Sequence, residues 1–199
     1  MAMEQEPTEN SRMICGRSVA EFLQEIEKFH GYLAPGLVLG GFMVDRALEL
    51  IGPGVEADAI VETRYCLPDA VQLFTPCTYG NGWMKVVDWD KFALTLYDRH
   101  NLNGYRVWLD LTSTRSFPNL YNWYMQRVPK HDLPLEVLNQ TIFEAGRSVL
   151  SSRAIRLTDL FQRSKKGPIA VCPRCGEAYP TRQGDRCRAC QGNGYYAPR

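Results

Sequence analysis

Four cysteines near the C-terminus carry the plainest chemistry in this 199-residue sequence. They stand as Cys172-Pro-Arg-Cys175-Gly and Cys187-Arg-Ala-Cys190-Gln-Gly. A Cys-x-x-Cys turn aims two sulfurs at one point. Two such turns facing each other supply four thiolates in the tetrahedral arrangement zinc takes, at about 2.3 Å per sulfur. Gly176 follows the second cysteine, where a knuckle turn needs positive φ. Only eleven residues separate the pairs, so the zinc ribbon must be compact. With all four positions filled by protein, the zinc is structural and has no open site for substrate.

A second set of reactive residues lies in the body of the chain. His30 sits in Phe29-His30-Gly31-Tyr32-Leu33-Ala34-Pro35-Gly36, held between two helices by a rigid turn. Cys66 precedes Leu67-Pro68-Asp69-Ala70-Val71-Gln72, just ahead of a helix start, where the helix dipole favours thiolate. Asp69 and Gln72 are three apart and share one helical face. Cys77, in Thr75-Pro76-Cys77-Thr78-Tyr79-Gly80-Asn81-Gly82, falls at the other end of the same short helix. Each has a plainer reading, His30 as a helix-end cap and the cysteines as small core hydrophobes. His100 and His131 fall in surface loops and are assigned no role.

These residues need elements to hold them. Residues 1–16 read as a disordered leader. Ser18-Val-Ala-Glu21 is a capping box that opens a helix, and Phe22, Leu23, Ile26 and Phe29 follow at helical spacing. Leu37–Ile51 reads as a second helix, whose Gly40-Gly41 implies close approach of another backbone. Ala57–Thr63 reads as a strand and Pro68–Phe74 as a short helix. Trp83–Val87, Phe92–Tyr97 and Tyr105–Leu111 read as strands, with Asn103-Gly104 as a hairpin turn. Residues 112–133 form an ordered excursion, Leu135–Leu150 a helix, and Ala154–Phe161 a weaker segment. Lys165-Lys166-Gly167-Pro168 marks a boundary. The body, residues 17–166, is therefore α+β, with helices on a mainly antiparallel sheet. Residues 167–199 are too few to fold without a metal.

Bulk composition narrows the class. A hydrophobic share of 45% with 23% charged residues describes a soluble globular chain. No apolar run reaches the roughly 20 residues of a membrane span, and Cys15, Cys66 and Cys77 are expected reduced in a cytoplasmic setting. Residues 151–199 hold ten Lys/Arg against three Asp/Glu, while residues 1–150 hold thirteen against nineteen. A basic tail beside an acidic body implies docking between the two or an external anionic partner.

These motifs together resemble the E-subunit family of formylmethanofuran dehydrogenase from about Phe29 to Tyr196. The resemblance rests on Phe29-His30-Gly31 with Pro35-Gly36-Leu37, on Cys66 with Asp69-Ala70-Val71-Gln72, on Thr75 with Cys77-Thr78-Tyr79-Gly80 followed by Asp88 and Lys91, and on the cysteine-rich tail. It implies an α+β core, a homodimer, and a protein associated with molybdenum or tungsten enzymes of one-carbon metabolism. By matching position it makes His30, Cys66, Asp69, Gln72 and Cys77 a ligand site; for an activity there, we expect Cys66 as reactive thiolate and His30 as its proton partner or co-ligand. The family motif His-Gly-His-x-Cys-Pro-Gly is altered here, because Tyr32 and Ala34 replace its second histidine and its cysteine. Asn81 stands where a lysine is often found. His30, Cys66 and Cys77 remain as donors for a second metal in the core.

Three readings compete. One is a zinc-binding accessory or redox-related protein. Another is a nucleic-acid- or protein-binding module using Arg174, Arg182, Arg186 and Arg188 with Tyr179, Tyr195 and Tyr196. The third is a non-catalytic component that holds a partner enzyme together.

Overall fold

The computed structural model describes residues 13–129, 132–158 and 167–196. His131, most of the expected leader and Lys165-Lys166 lie outside the described residues. The chain divides into two compact units, residues 1–158 and 159–199.

The first unit opens with a short hairpin of β1 (Met13–Ile14) and β2 (Arg17–Ser18). Ile14 is wholly buried, so residues 13–16 belong to the body and not to a leader. Helix α1 (Val19–His30) begins at the expected capping box. Ser18 Oγ accepts from the Glu21 amide, and the Glu21 carboxylate accepts from the Ser18 amide.

Five strands form the main sheet of this unit. They are β3 (Ala57–Val61), β4 (Met84–Val86), β5 (Ala93–Asp98), β6 (Asn103–Leu109) and β7 (Leu150–Arg156). Their order across the sheet is β4-β3-β5-β6-β7. β3 and β4 pair in parallel and every other neighbour is antiparallel. The helix α2 (Pro35–Ile51) lies on this sheet and is also packed against α3 (Leu67–Phe74) and α6 (Leu135–Ala145). Every residue from Pro35 to Val44 is buried, as expected of a helix that is apolar all round.

Gly40 and Gly41 let α2 sit this deep. A Cβ on Gly40 would meet the Ala70 Cβ at 2.8 Å, and one on Gly41 would meet the Phe22 ring at 2.4 Å. The neighbours that require glycine are therefore mostly side chains of α3 and α1, not a crossing backbone. Phe22 stacks on Phe74 at 5.0 Å between centroids, and Phe42 meets Phe143 edge-on at 5.4 Å. Each of the buried rings Phe22, Phe42 and Phe74 contributes about 1.5–3 kcal/mol over an exposed one.

Two elements differ from the sequence reading. Asn103-Gly104 is not the hairpin turn but the start of β6. The turn lies at 98–102, where the Asp98 carboxylate accepts from the His100 and Asn101 amides and Leu102 N–H donates to Asp98 O. Gly104 is needed in the strand because a Cβ there would stand 2.2 Å from Leu96 O. The helix expected to reach Leu150 ends at Ala145, passes through a 3-10 turn (Gly146–Val149) and becomes the edge strand β7. The polar run Ser151-Ser152-Arg153 masks β7 in the sequence, because an edge strand needs no alternating apolar face. The excursion at 112–133 contains α4 (Leu111–Thr114) and α5 (Pro118–Tyr124).

In the second unit β8 (Ile169–Val171) pairs with β9 (Ala178–Pro180). No helix among the described residues is long and apolar enough to cross a membrane.

Candidate functional site

The four tail cysteines converge. Their sulfurs all lie within 4.8 Å of one another. Four sulfurs bound to one zinc stand about 3.8 Å apart at ideal tetrahedral geometry, and Cys175 Sγ to Cys187 Sγ is 3.8 Å. The first knuckle is closed by Gly176 N–H donating to Cys172 O at 2.9 Å, with Gly176 at φ +77°. Cys172 N–H donates to Glu177 O and leads into β9. Backbone amides of Cys187 and Cys175 hold the Cys172 thiol low, at about 6. Burial, then the neighbouring cysteine sulfurs, push Cys190 up to about 12. A divalent cation relieves that crowding of sulfur, which is why this donor set fits zinc. The zinc would be held by Cys172, Cys175, Cys187 and Cys190, and when bound it supplies the fold of the unit.

In the body, α1 and α3 bring His30 and Asp69 together. His30 is the last residue of α1, which stops because Gly31 takes a left-handed conformation (φ +91°) and donates to Glu27 O. Asp69 is in the first turn of α3. His30 Nδ1 lies 2.8 Å from Asp69 Oδ2, with both side chains partly exposed. A carboxylate on Nδ1 fixes the ring and its tautomer, leaving Nε2 as acceptor for a proton or a ligand. The Tyr32 ring lies 5.1 Å from the imidazole. Tyr32 thus sets an aromatic ring beside the imidazole.

Cys66 heads the same helix that carries Asp69. Its backbone is at φ +52°, ψ −45°, and Leu67 N–H donates to Tyr65 O across it. That is a γ-turn of the rare, strained kind. A non-glycine residue held there costs of order 1–3 kcal/mol and persists only where packing over-determines it. The packing is visible in Gly36, which has no room for a Cβ beside the Cys66 sulfur.

Cys77 does not join them. It follows α3 at the end opposite Cys66, and eight helical residues span about 12 Å. Its thiol donates to Ala57 O at 3.3 Å. It lines a different cleft, together with Cys15. Among the described residues the tail cysteines are the one group of three or more metal-binding side chains that gathers. The expected His30–Cys66–Cys77 metal triad is therefore not assembled. Gln72 Oε1 accepts from the Tyr79 amide. Asn81 stitches its own loop, accepting from Thr78 and Trp83 amides and donating to Pro76 O.

Two features left no mark in the sequence. One is the place of Cys15 in that cleft, which no local motif signals. The other is the bidentate pair of buried Glu62 with Arg106, at 2.6 and 2.7 Å, which joins residues 44 apart in the chain.

An α+β body with a histidine–carboxylate pair beside a strained cysteine, followed by a four-cysteine zinc finger, defines the class. Residues 29–159 match the family model described as FmdE, molybdenum formylmethanofuran dehydrogenase operon, and residues 163–197 match the FmdE treble clef zinc finger. The chain belongs to the FmdE family, and its tail is a treble clef finger. A solved structure of a tungsten formylmethanofuran dehydrogenase FmdE-like protein from Syntrophus aciditrophicus is 43% identical. It superposes with a TM-score of 0.87, over 94% of this chain and 98% of that one. An Archaeoglobus fulgidus protein described as "Probable S-adenosyl-L-methionine-binding protein" is 31% identical over 90% of this chain. The chain spans about half the length of that relative, 54%.

Proposed function

We propose that this protein is a zinc-finger-bearing accessory protein of molybdenum- or tungsten-dependent one-carbon metabolism that binds a small ligand at His30, Asp69 and Cys66. The observation that carries this reading is the strained turn at Cys66, one helical turn before the carboxylate that orients His30. Strain kept at a cysteine beside a fixed imidazole is characteristic of functional sites. The zinc finger then serves the fold, and the ligand site uses the thiol and the free Nε2. The name of the archaeal relative makes S-adenosylmethionine the first ligand to try, with Tyr32 as a stacking surface.

Metal content per chain tests the division of labour. One zinc per chain, absent from Cys172→Ser/Cys175→Ser, is the expected result. A second metal surviving in that variant would sink the metal-free reading of the core. Calorimetric titration with S-adenosylmethionine, compared with Cys66→Ala and His30→Ala, tests the ligand site. Recovery of a molybdenum or tungsten oxidoreductase with the tagged protein from its host tests the partner.

One observation favours a second reading, an anionic partner for the finger. Tyr195 is 98% exposed and packs edge-on against Tyr196 at 5.2 Å. Salt-dependent binding of single-stranded RNA by the full chain, lost in Tyr195→Ala/Tyr196→Ala, would support it. No binding at low salt would end it.

A further inference from the structure

The excursion between β6 and α6 carries positive charge only. From Leu111 to Lys130 it holds Arg115, Arg127 and Lys130 and no Asp or Glu, whereas residues 1–150 as a whole hold more acids than bases. Two of these cations meet at one ring. Arg115 Cζ lies 6.0 Å, and Arg127 Cζ 5.0 Å, from the centroid of Tyr121. Both arginines are exposed, and neither pairs with a carboxylate among the described residues. Asp110, the acid just before this stretch, is turned to the Thr112 and Ser113 amides and the Ser151 hydroxyl.

The backbone is bent to make this meeting. Arg115 closes α4, its amide donating to Thr112 O at 3.3 Å. After α5 the chain reverses at Gln126, whose φ of +53° lies in the left-handed region. Arg127 N–H then donates back to Asn122 O at 2.8 Å, which returns the arginine to the Tyr121 ring of that helix. Such a backbone at a residue other than glycine is costly, and it clusters at functional sites. Cation–π attraction to the ring holds each guanidinium without neutralising its charge. Two like charges drawn to one ring repel each other, and an anion between them removes that repulsion.

We propose that Arg115 and Arg127 form a site for a diphosphate group, free or carried by a nucleoside, with Tyr121 as the platform that sets their spacing. A guanidinium fork matches one phosphoryl group through paired N–H donors. Two forks on one ring therefore match two linked phosphoryl groups. The site uses none of His30, Asp69 and Cys66, so it stands independently of the ligand proposed for those residues.

Calorimetric titration of the zinc-loaded full chain with inorganic pyrophosphate, against orthophosphate at equal ionic strength, tests this. Pyrophosphate is expected to bind at least tenfold more tightly. Arg115→Gln and Arg127→Gln, both at exposed positions, should each weaken it at least fivefold. Arg153→Gln, at an exposed position of β7, and the finger variant Arg174→Gln/Arg186→Gln should leave it unchanged. In the wild type, the Nε–H signals of Arg115 and Arg127 should shift in NMR as pyrophosphate is added, a readout that needs no variant to fold. Adenosine diphosphate separates the two sources. Binding as tight as that of pyrophosphate, weakened by the same two variants, assigns the site to a nucleotide, and no binding assigns it to the free anion. Absence of pyrophosphate binding, equal binding of orthophosphate, or unmoved Arg115 and Arg127 signals would overturn the proposal. Loss of binding in the finger variant alone would also overturn it, by moving the anion to the finger.

Discussion

A Cβ placed on Gly36 would stand 2.9 Å from the Cys66 sulfur and 3.0 Å from the Cys66 Cβ. The first turn of α2 thus forms the seat on which Cys66 rests in its strained conformation. Thirty residues apart in sequence, the two positions are one structural device. The glycine is there for the cysteine, since Gly36 itself has no positive φ.

Gly36→Ala must push the thiol or the helix aside. Overpacking of this kind costs about 1–3 kcal/mol, to be read as a lower urea midpoint. Cys66→Gly should behave in the opposite sense. It removes the strain of φ +52°, which is of order 1–3 kcal/mol, against about 0.5–1 kcal/mol of added chain entropy. A raised urea midpoint with ligand binding lost is the expected pair of results. A protein destabilised by Cys66→Gly would show that the turn is not strained.

The contact of Asp69 with His30 Nδ1 should fix the imidazole tautomer. Nitrogen-15 NMR of His30 is expected to show a proton on Nδ1 and a bare Nε2 in the neutral ring. In Asp69→Ala that preference should weaken, with a mixture of tautomers. An unchanged tautomer would mean that another group orients the ring.

Zinc removal should be a local event. A structural zinc site of four cysteines contributes an apparent binding free energy of about 10–16 kcal/mol to the fold it closes. A strong chelator should therefore unfold residues 167–196 while the body keeps its protected amides. Hydrogen exchange by mass spectrometry measures both in one experiment. Deprotection spreading into α2 and β5 would contradict the division into two units.

Glu62 is 3% exposed, and its carboxylate is held by Nε and Nη2 of the Arg106 guanidinium. Breaking a buried pair by deleting one partner costs about 3–5 kcal/mol, whereas replacing both with apolar residues is often near neutral. Arg106 is partly exposed, so Arg106→Leu is expected at the low end, about 3 kcal/mol. Glu62→Leu/Arg106→Leu should recover most of that loss in a denaturant titration.

The α1 cap carries a pH dependence. The Ser18 hydroxyl and amide hold the Glu21 carboxyl below its ordinary value of 4.5. Because the folded value is depressed, the stabilisation is full above the unfolded carboxyl range. It fades as pH falls through the folded value. Wild type and Glu21→Ala should differ in melting temperature at pH 7 and converge in acid below pH 4.5.

Much of this protein is local, and local features were legible in the residue string. The capping box at Ser18–Glu21 and the spacing of Phe22 and Ile26 define α1 through contacts three and four residues apart. The two Cys-x-x-Cys turns and Gly176 define a zinc finger, because each knuckle is built from a handful of adjacent residues and the metal supplies the remaining closure. Family-matched motifs marked His30, Cys66 and Asp69. What only the tertiary structure decided is which of the marked residues meet. Asp69 reaches His30 because α3 packs beside α1. Cys77 is carried away from both because α3 separates it from Cys66. Cys15 enters a cleft with Cys77 because the β1–β2 hairpin folds against α2. The edge strand β7 and the Glu62–Arg106 pair also escaped the sequence, since neither leaves a periodic or short-range trace. Convergence of side chains depends on the packing of α2 into the sheet, and that packing is the sum of many small apolar contacts that no single motif records.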